Sequence, residues 1–85
     1  MREFEPFDPD KEFKPLEVDF KIPPILQESI NGLVKEVNEG GLAVDCWQDD
    51  LRASINICVD GHSLTEEDGA LLRRYYYNRN LRRNI

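Results

Sequence analysis

The sequence of 85 residues contains few of the residues from which catalytic and metal sites are built, with one histidine and two cysteines. It has no Gly-rich phosphate-binding loop, no paired CxxC motif, no nucleophile elbow and no window with the ligand spacing of an EF-hand. His62 lies near Asp60 and Ser63, but adjacency in one turn does not give the geometry of a catalytic triad. The sequence therefore predicts a protein that is not an enzyme, with no catalytic residue, cofactor or metal.

Long apolar runs are also absent. No stretch approaches the length of a transmembrane helix, and residues 1–6 lack the apolar core of a secretory signal. The cysteines, Cys46 and Cys58, fit a reducing compartment, because a secreted domain this small usually has a fuller disulfide framework. We therefore predict a cytoplasmic protein with no membrane partner.

The formal net charge of −6 is unevenly distributed along the chain. Residues 1–20 have seven acids and three bases (−4), residues 21–69 have ten and three (−7), and residues 70–85 have no acid and five arginines (+5). An acidic body with a basic tip has a dipolar field that can orient association with a charged partner. Most of this surface would repel nucleic acid.

A chain of this length allows a single domain. Residues 1–15 contain three prolines and three phenylalanines among acidic residues, which predicts an extended or mobile arm that docks on its own body or on a partner. Residues 16–79 are predicted to form one domain, and residues 80–85 a basic C-terminal extension.

Strict alternation of apolar and charged residues from Leu16 to Ile22 has the period of a half-buried strand. Two prolines end this strand, and proline suits the first turn of a helix. Apolar residues at three- and four-residue steps then predict a helix over roughly residues 24–39, which Gly40-Gly41 would stop. Gly32 in its middle predicts the close approach of another backbone.

Residues 42–59 are predicted to form a β-hairpin with Asp49-Asp50 at or near its turn. If Gln48 pairs with Leu51, one face is largely apolar and the other largely polar, which specifies the register. Cys46 then points inward and Cys58 outward, roughly 17 Å further along at the usual strand rise. That register excludes a disulfide or a shared zinc ion.

Thr65 is predicted to be the N-cap of a second helix over about residues 65–79, with acids in the first turn and arginines toward the end, as the helix dipole favours. The element order strand, helix, strand, strand, helix predicts an α+β fold. We expect a small two-layer sandwich in which two helices cover one face of a three-stranded sheet. The position of the first strand in the sheet stays open.

Trp47 falls on the polar face of the predicted sheet, opposite Arg52, where indole and guanidinium could stack. The pair is either covered by the arm or another element, or it is an anchor for a partner protein, because tryptophan and arginine are enriched in binding hot spots. The open face of the sheet is also a natural surface for a homodimer.

Residues 71–85 combine three consecutive tyrosines with five arginines, residue types that suit single-stranded nucleic acid. Helical spacing sets neighbouring tyrosines about 100° apart, so they form no single stacking platform and one or two must pack inward. The arginines could instead hold the acidic arm or an acidic patch on another copy. The candidate partner-binding residues are Trp47, Arg52, Arg73, Arg74, Tyr76, Tyr77, Arg79, Arg82 and Arg83.

These features predict a small acidic, non-enzymatic domain that binds another protein or a second copy of itself by surface recognition. Size, acidity and lack of motifs are typical of accessory proteins of phages and other mobile elements. In that setting the acidic body could inhibit a nucleic-acid-binding enzyme by placing carboxylates where phosphates would lie. The alternative is a nucleic-acid-binding accessory protein that uses the arginines of the C-terminal helix with Tyr76 or Tyr77.

Overall fold

The computed structural model describes residues 4–81, and this part of the chain contains three α-helices and no strand. Helix α1 spans Pro24–Asn38, α2 spans Val44–Asp60 and α3 spans Glu66–Leu72, after which a π-helical turn spans Arg73–Tyr77. The predicted α+β sandwich is therefore wrong. Over the described residues the protein is all-helical.

Helix α1 begins and ends as its sequence predicts. Pro24 occupies its first turn, where the missing N–H costs no hydrogen bond. At its end the N–H of Gly40 donates to the carbonyl of Val37 (3.2 Å) and that of Gly41 to the carbonyl of Glu36 (3.0 Å). Gly40 has a φ of 66°, so this is a Schellman motif with glycine in the left-handed position. The predicted helix and its glycine stop are confirmed.

Helix α2 replaces the predicted hairpin. Its buried residues recur at steps of three and four: Val44, Gln48, Leu51, Ser54, Ile55 and Cys58. That spacing forms one face of a helix, whereas the hairpin would have turned near Asp49. The two thiols exchange their predicted environments as a result, since Cys46 is exposed and Cys58 is buried. Burial raises the pKa of the Cys58 thiol.

Helices α1 and α2 pack antiparallel. The hydroxyl oxygens of Ser29 and Ser54 lie 3.1 Å apart, and the Ser29 hydroxyl donates to a carboxylate oxygen of Asp50 (2.7 Å). One turn further along α1, a Cβ added to Gly32 would overlap the Trp47 ring. The close approach predicted at Gly32 is real, but an indole ring makes it instead of a backbone. The apolar core lies along this pair: Leu26, Ile30, Leu33, Val37, Val44, Leu51, Ile55 and Cys58.

Helix α3 begins at the predicted cap, because the Thr65 hydroxyl accepts the N–H of Asp68 (3.1 Å). The α-helix then continues as the π-helical turn. There the N–H of Asn78 donates to the carbonyl of Arg73 (2.9 Å), five residues earlier. Leu72 and Tyr76 are fully buried on this segment. Leu81, within the predicted basic extension, is also fully buried.

The N-terminal arm, defined here as residues 4–22, forms neither helix nor strand. Phe13 and Leu16 are buried in the core, and Val18, Phe20 and Ile22 pack against it while partly buried. The alternation from Leu16 to Ile22 thus marks an extended segment lying on helices. The predicted first strand is wrong, because no neighbouring strand among the described residues pairs with it.

Candidate functional site

The C-terminal tyrosines and arginines contact the chain's own arm. We call the residues that hold it the arm groove: Asn38 at the end of α1, Tyr75 and Tyr76 in the π-helical turn, and Arg79 just after it. The arm residues in contact are within 4–16. Two of the four groove residues, Tyr76 and Arg79, are among the predicted partner-binding residues.

Asn38 holds the arm at Phe13 through two hydrogen bonds. The Phe13 N–H donates to Asn38 Oδ1 (2.7 Å), and Asn38 Nδ2 donates to the Phe13 carbonyl (2.9 Å). A side-chain amide satisfies both main-chain groups of one residue in this way, as a neighbouring strand would do. The bond pair therefore fixes an extended arm at the C-terminal end of α1.

The tyrosine hydroxyls hold the next stretch of the arm. Tyr76 OH accepts the Leu16 N–H (2.8 Å), and Tyr75 OH donates to the Lys14 carbonyl (2.6 Å). Tyr76 is fully buried, and its hydroxyl lies under the arm with the Leu16 N–H as its donor. Burial raises the pKa of Tyr76 to about 12, the Leu16 N–H opposes this shift, and the neighbouring Tyr75 adds to it.

The rings of the arm pack on the same tyrosines. Phe13 stacks on Tyr75 with 5.4 Å between ring centroids and 16° between planes, and it meets Tyr76 edge-on at 6.2 Å. Phe4 meets Tyr75 edge-on at 5.0 Å. Stacked and edge-to-face pairs at these separations are favourable beyond the area that they bury. The aromatic residues of the arm thus complete an aromatic cluster whose other half is the tyrosine run.

Arg79 closes the groove over the arm. Its guanidinium lies 4.6 Å from the Tyr75 ring centroid, and its Nη1 donates to the Glu5 carbonyl (2.7 Å). Its Nε donates to the Tyr75 carbonyl (3.0 Å). Arg74 lies 5.7 Å from the Phe4 ring centroid. Both arginines therefore make cation–π contacts within the molecule.

The π-helical turn owes its position to a buried polar residue of α2. Gln48 Nε2 donates to the carbonyls of Tyr76 and Arg79, each at 2.9 Å. The carbonyls at the end of a helix have no partner within the helix, so Gln48 supplies donors that would otherwise come from water. It thereby fixes the turn that presents the groove tyrosines.

Trp47 and Arg52 do not form the predicted cross-strand pair, because both lie on α2. Trp47 is half-buried against Gly32 of α1, and Arg52 lies 5.6 Å from the Tyr77 ring centroid. The sheet face suggested for a homodimer does not exist among residues 4–81.

Arg73 donates through Nη1 to Asn56 Oδ1 (2.9 Å). The predicted residues Arg82 and Arg83 lie outside the described residues.

Sequence reasoning missed Asn38, Gln48 and Tyr75 as site residues. Asn38 falls near the end of the predicted helix and Gln48 beside the predicted hairpin turn, and neither position marks a site in the sequence. Phe13 carried the available signal, since phenylalanines in an acidic, proline-rich arm are unusual for a disordered tail. That signal predicted docking without identifying the surface.

The outward side of α2 is a second candidate surface, which we call the acidic face of α2. Asp49 and Asp60 are exposed and point within about 20° of each other around the helix. Ile57 lies on the same side and is 60% exposed. The helix contains four acids and one base, Arg52, which is also exposed and lies one turn from Asp49.

Among residues 4–81, no group of three or more histidine, cysteine, aspartate or glutamate side chains is arranged to hold a metal ion. His62 lies beside a cleft of about 370 Å³ whose lining includes Phe20, Lys21 and Asp68. None of the helices in this part of the chain is both long and apolar enough to span a membrane.

Comparison of the chain with protein-family models, curated proteins and solved structures found no match.

Proposed function

We propose that this protein is a non-enzymatic interaction domain that presents the acidic face of α2 to a basic surface on another protein. One observation carries the proposal. Each of the four described arginines contacts a group of its own chain, whereas the carboxylates of Asp49 and Asp60 are exposed. Residues 4–81 hold sixteen acids and eight bases, a net charge of −8. A surface of this charge favours a cationic partner.

The role that fits such a surface is that of an accessory or inhibitor protein, such as those of phages and other mobile elements. Enzymes that bind nucleic acid expose basic surfaces shaped for phosphates. The carboxylates of the acidic face of α2 would occupy such positions, and Ile57 would add an apolar contact. We place this interaction in the cytoplasm, where the two free thiols would stay reduced.

Affinity capture from the source cells tests this proposal with charge-matched variants. Asp49→Lys/Asp60→Lys reverses the acidic face of α2, whereas Glu28→Lys/Glu39→Lys makes the same change in net charge at exposed sites on and beside α1. We expect the first variant to lose the partner, the second to retain it, and salt to weaken capture by the wild type. Equal capture by all three proteins would contradict the proposal.

The alternative function, nucleic-acid binding through the C-terminal arginines, remains a prediction. Tyr76 is fully buried, and Tyr75 and Arg79 hold the arm, so this function would require release of the arm. We expect no shift of single- or double-stranded oligonucleotides at low ionic strength. Binding that weakens with salt and is lost in Arg73→Ala/Arg74→Ala would favour the alternative.

A further inference from the structure

We propose that the arm groove is a peptide-binding site, which an extended, acidic, phenylalanine-bearing segment of a partner protein occupies after it displaces the arm. This site is separate from the acidic face of α2. The inference therefore does not depend on the function proposed above.

The first support is that the groove binds main-chain atoms. Its side chains bond the carbonyl of Glu5, both main-chain groups of Phe13, the carbonyl of Lys14 and the N–H of Leu16. Every residue except proline offers these groups in an extended segment. The bonds therefore provide affinity for an extended peptide whatever its side chains are.

The second support is that rings and charge supply selectivity. Phe4 and Phe13, nine positions apart, both pack on Tyr75. Residues 4–17 contain five acids and two lysines, a net charge of −3, whereas residues 70–81 contain three arginines and no acid. A competing segment should therefore be acidic and carry phenylalanines at a similar spacing.

The third support is that the arm has no regular secondary structure that must unfold when it leaves. It forms no helix or strand, and segments without regular backbone hydrogen bonding open at a lower free energy than the core. A cleft of about 400 Å³ is lined almost entirely by the arm itself, with Tyr75 and Arg79 as the two groove residues in its lining. The arm thus encloses open space next to the groove instead of packing tightly on itself.

The arm is covalently joined to the rest of the chain, so a partner segment must compete with a high effective concentration of the arm at the groove. A segment joined to its site by a short flexible linker has an effective concentration in the millimolar range. A free peptide identical to the arm should therefore displace it only at about 1 mM or above. A variant with a weakened arm should bind the same peptide much more tightly.

The test uses the full chain and a fluorescent peptide of residues 4–17. We expect Phe13→Ala, whose own arm docks poorly, to bind this peptide at least about tenfold more tightly than the wild type does. Adding Asn38→Ala to Phe13→Ala should abolish binding, and a peptide with Phe13→Ala should bind neither protein. Equal binding to Phe13→Ala and wild type, or no binding to Phe13→Ala at about 1 mM peptide, would overturn the proposal.

Two further measurements keep the test decisive if Phe13→Ala unfolds. Phe4→Ala/Phe7→Ala removes only half-buried rings of the arm and should show the same gain in peptide affinity. In the ¹⁵N-labelled wild type, excess unlabelled peptide should move the Phe13 and Leu16 amide resonances toward unfolded positions while those of α1 stay. Unmoved resonances would overturn the proposal. Dimerisation of the wild type that Phe13→Ala abolishes would also overturn it, by assigning the groove to the arm of a second copy.

Discussion

The arm and the α1–α2 pair are held in place by different kinds of interaction. The helix pair buries complete rows of apolar side chains, such as Leu33 and Leu51, and satisfies its backbone internally. The arm has no regular backbone bonding: side chains from the rest of the chain bond five of its main-chain groups, and only Phe13 and Leu16 among residues 4–22 are buried in the core. The difference indicates that release of the arm and unfolding of the helix pair require different free energies. The helix pair should unfold globally, and the arm should be able to leave alone.

The largest effect is expected where the helix pair itself is broken. Leu51→Ala truncates a fully buried residue of α2 and should lower the free energy of unfolding by about 2–5 kcal/mol. Chemical denaturation followed by far-UV circular dichroism measures this loss. Ile57→Ala, on the exposed side of the same helix, is the control and should change stability by less than about 0.5 kcal/mol. Similar losses in both variants would contradict this packing of α2.

Tyr76 joins the two regions, and its pKa makes their contact sensitive to high pH. Its folded pKa is raised from 10.0 to about 12. Below pH 10 the folded and unfolded states both keep the proton; as pH rises toward 12 the unfolded chain loses it first. Stability should therefore fall across this window, on the order of 2–3 kcal/mol in total.

Denaturation curves of wild type and Tyr76→Phe between about pH 9 and about pH 12.5, a range that covers both the ordinary and the raised pKa of Tyr76, measure this loss of stability. The phenylalanine variant cannot titrate at this position, so its curve should decline less steeply than that of the wild type. Parallel curves over the whole range would mean that the Tyr76 hydroxyl is not buried under the arm.

Phe13→Ala is expected to undock the arm while the helices stay folded. This change removes the stacked ring at Tyr75 and should lower stability by about 1–3 kcal/mol, less than Leu51→Ala does, because the arm can open locally. Helical circular dichroism should be retained while trypsin cleaves faster after Lys11. Concerted loss of helix and arm would show instead that the two regions form one unit.

The smallest effect is expected at the end of α2. His62 has a φ of 61°, and its N–H and that of Ser63 donate to the carbonyls of Val59 and Cys58 (3.1 and 2.8 Å). This is the same Schellman geometry that Gly40 adopts after α1. The left-handed conformation costs about 1–2 kcal/mol in a residue with a Cβ, and part of this is offset because glycine loses more entropy on folding.

His62→Gly should therefore stabilise the protein by about 0.5–1 kcal/mol without changing the arm. The matched substitution at the end of α1, Gly40→Ala, should destabilise it by a similar amount. Thermal denaturation measures both changes. Destabilisation by His62→Gly would contradict the left-handed assignment at this position.

The sequence predicted the elements that carry local signals. Proline at the start of α1, Gly40 at its end and the Thr65 cap of α3 each satisfy a helix terminus through groups close in the chain. These signals depend on a few adjacent residues. They were therefore available without knowledge of the tertiary structure.

Helix α2 has no capping side chain at its start and no left-handed glycine at its end. Its N-cap residue is Ala43, which has no capping side chain; the Glu36 carboxylate of α1 accepts the Ala43 N–H instead (3.3 Å). Asp60 ends the helix with a charge that the dipole disfavours. The β-branched residues between them favour a strand locally, and packing against α1 overrides that preference.

The arm groove was predictable only in part. The residue types in the C-terminal segment indicated an interaction surface, and the internal acidic arm was among its suggested partners. The bonds that define the groove join residues that are 25 to 74 positions apart in the chain. No local pattern specifies which main-chain group Asn38 or Arg79 will meet, since that depends on how the helices pack.

Hydrogen exchange of the Phe13 and Leu16 amides tests the docking of the arm most directly. Both N–H groups donate to groove side chains, Asn38 Oδ1 and Tyr76 OH, although neither lies in a helix or strand. We predict that both amides exchange much more slowly than in an unfolded peptide, and that Asn38→Ala restores fast exchange at Phe13 while α1 and α2 stay protected. Exchange of both wild-type amides at the unfolded rate would contradict the docking of the arm in its groove.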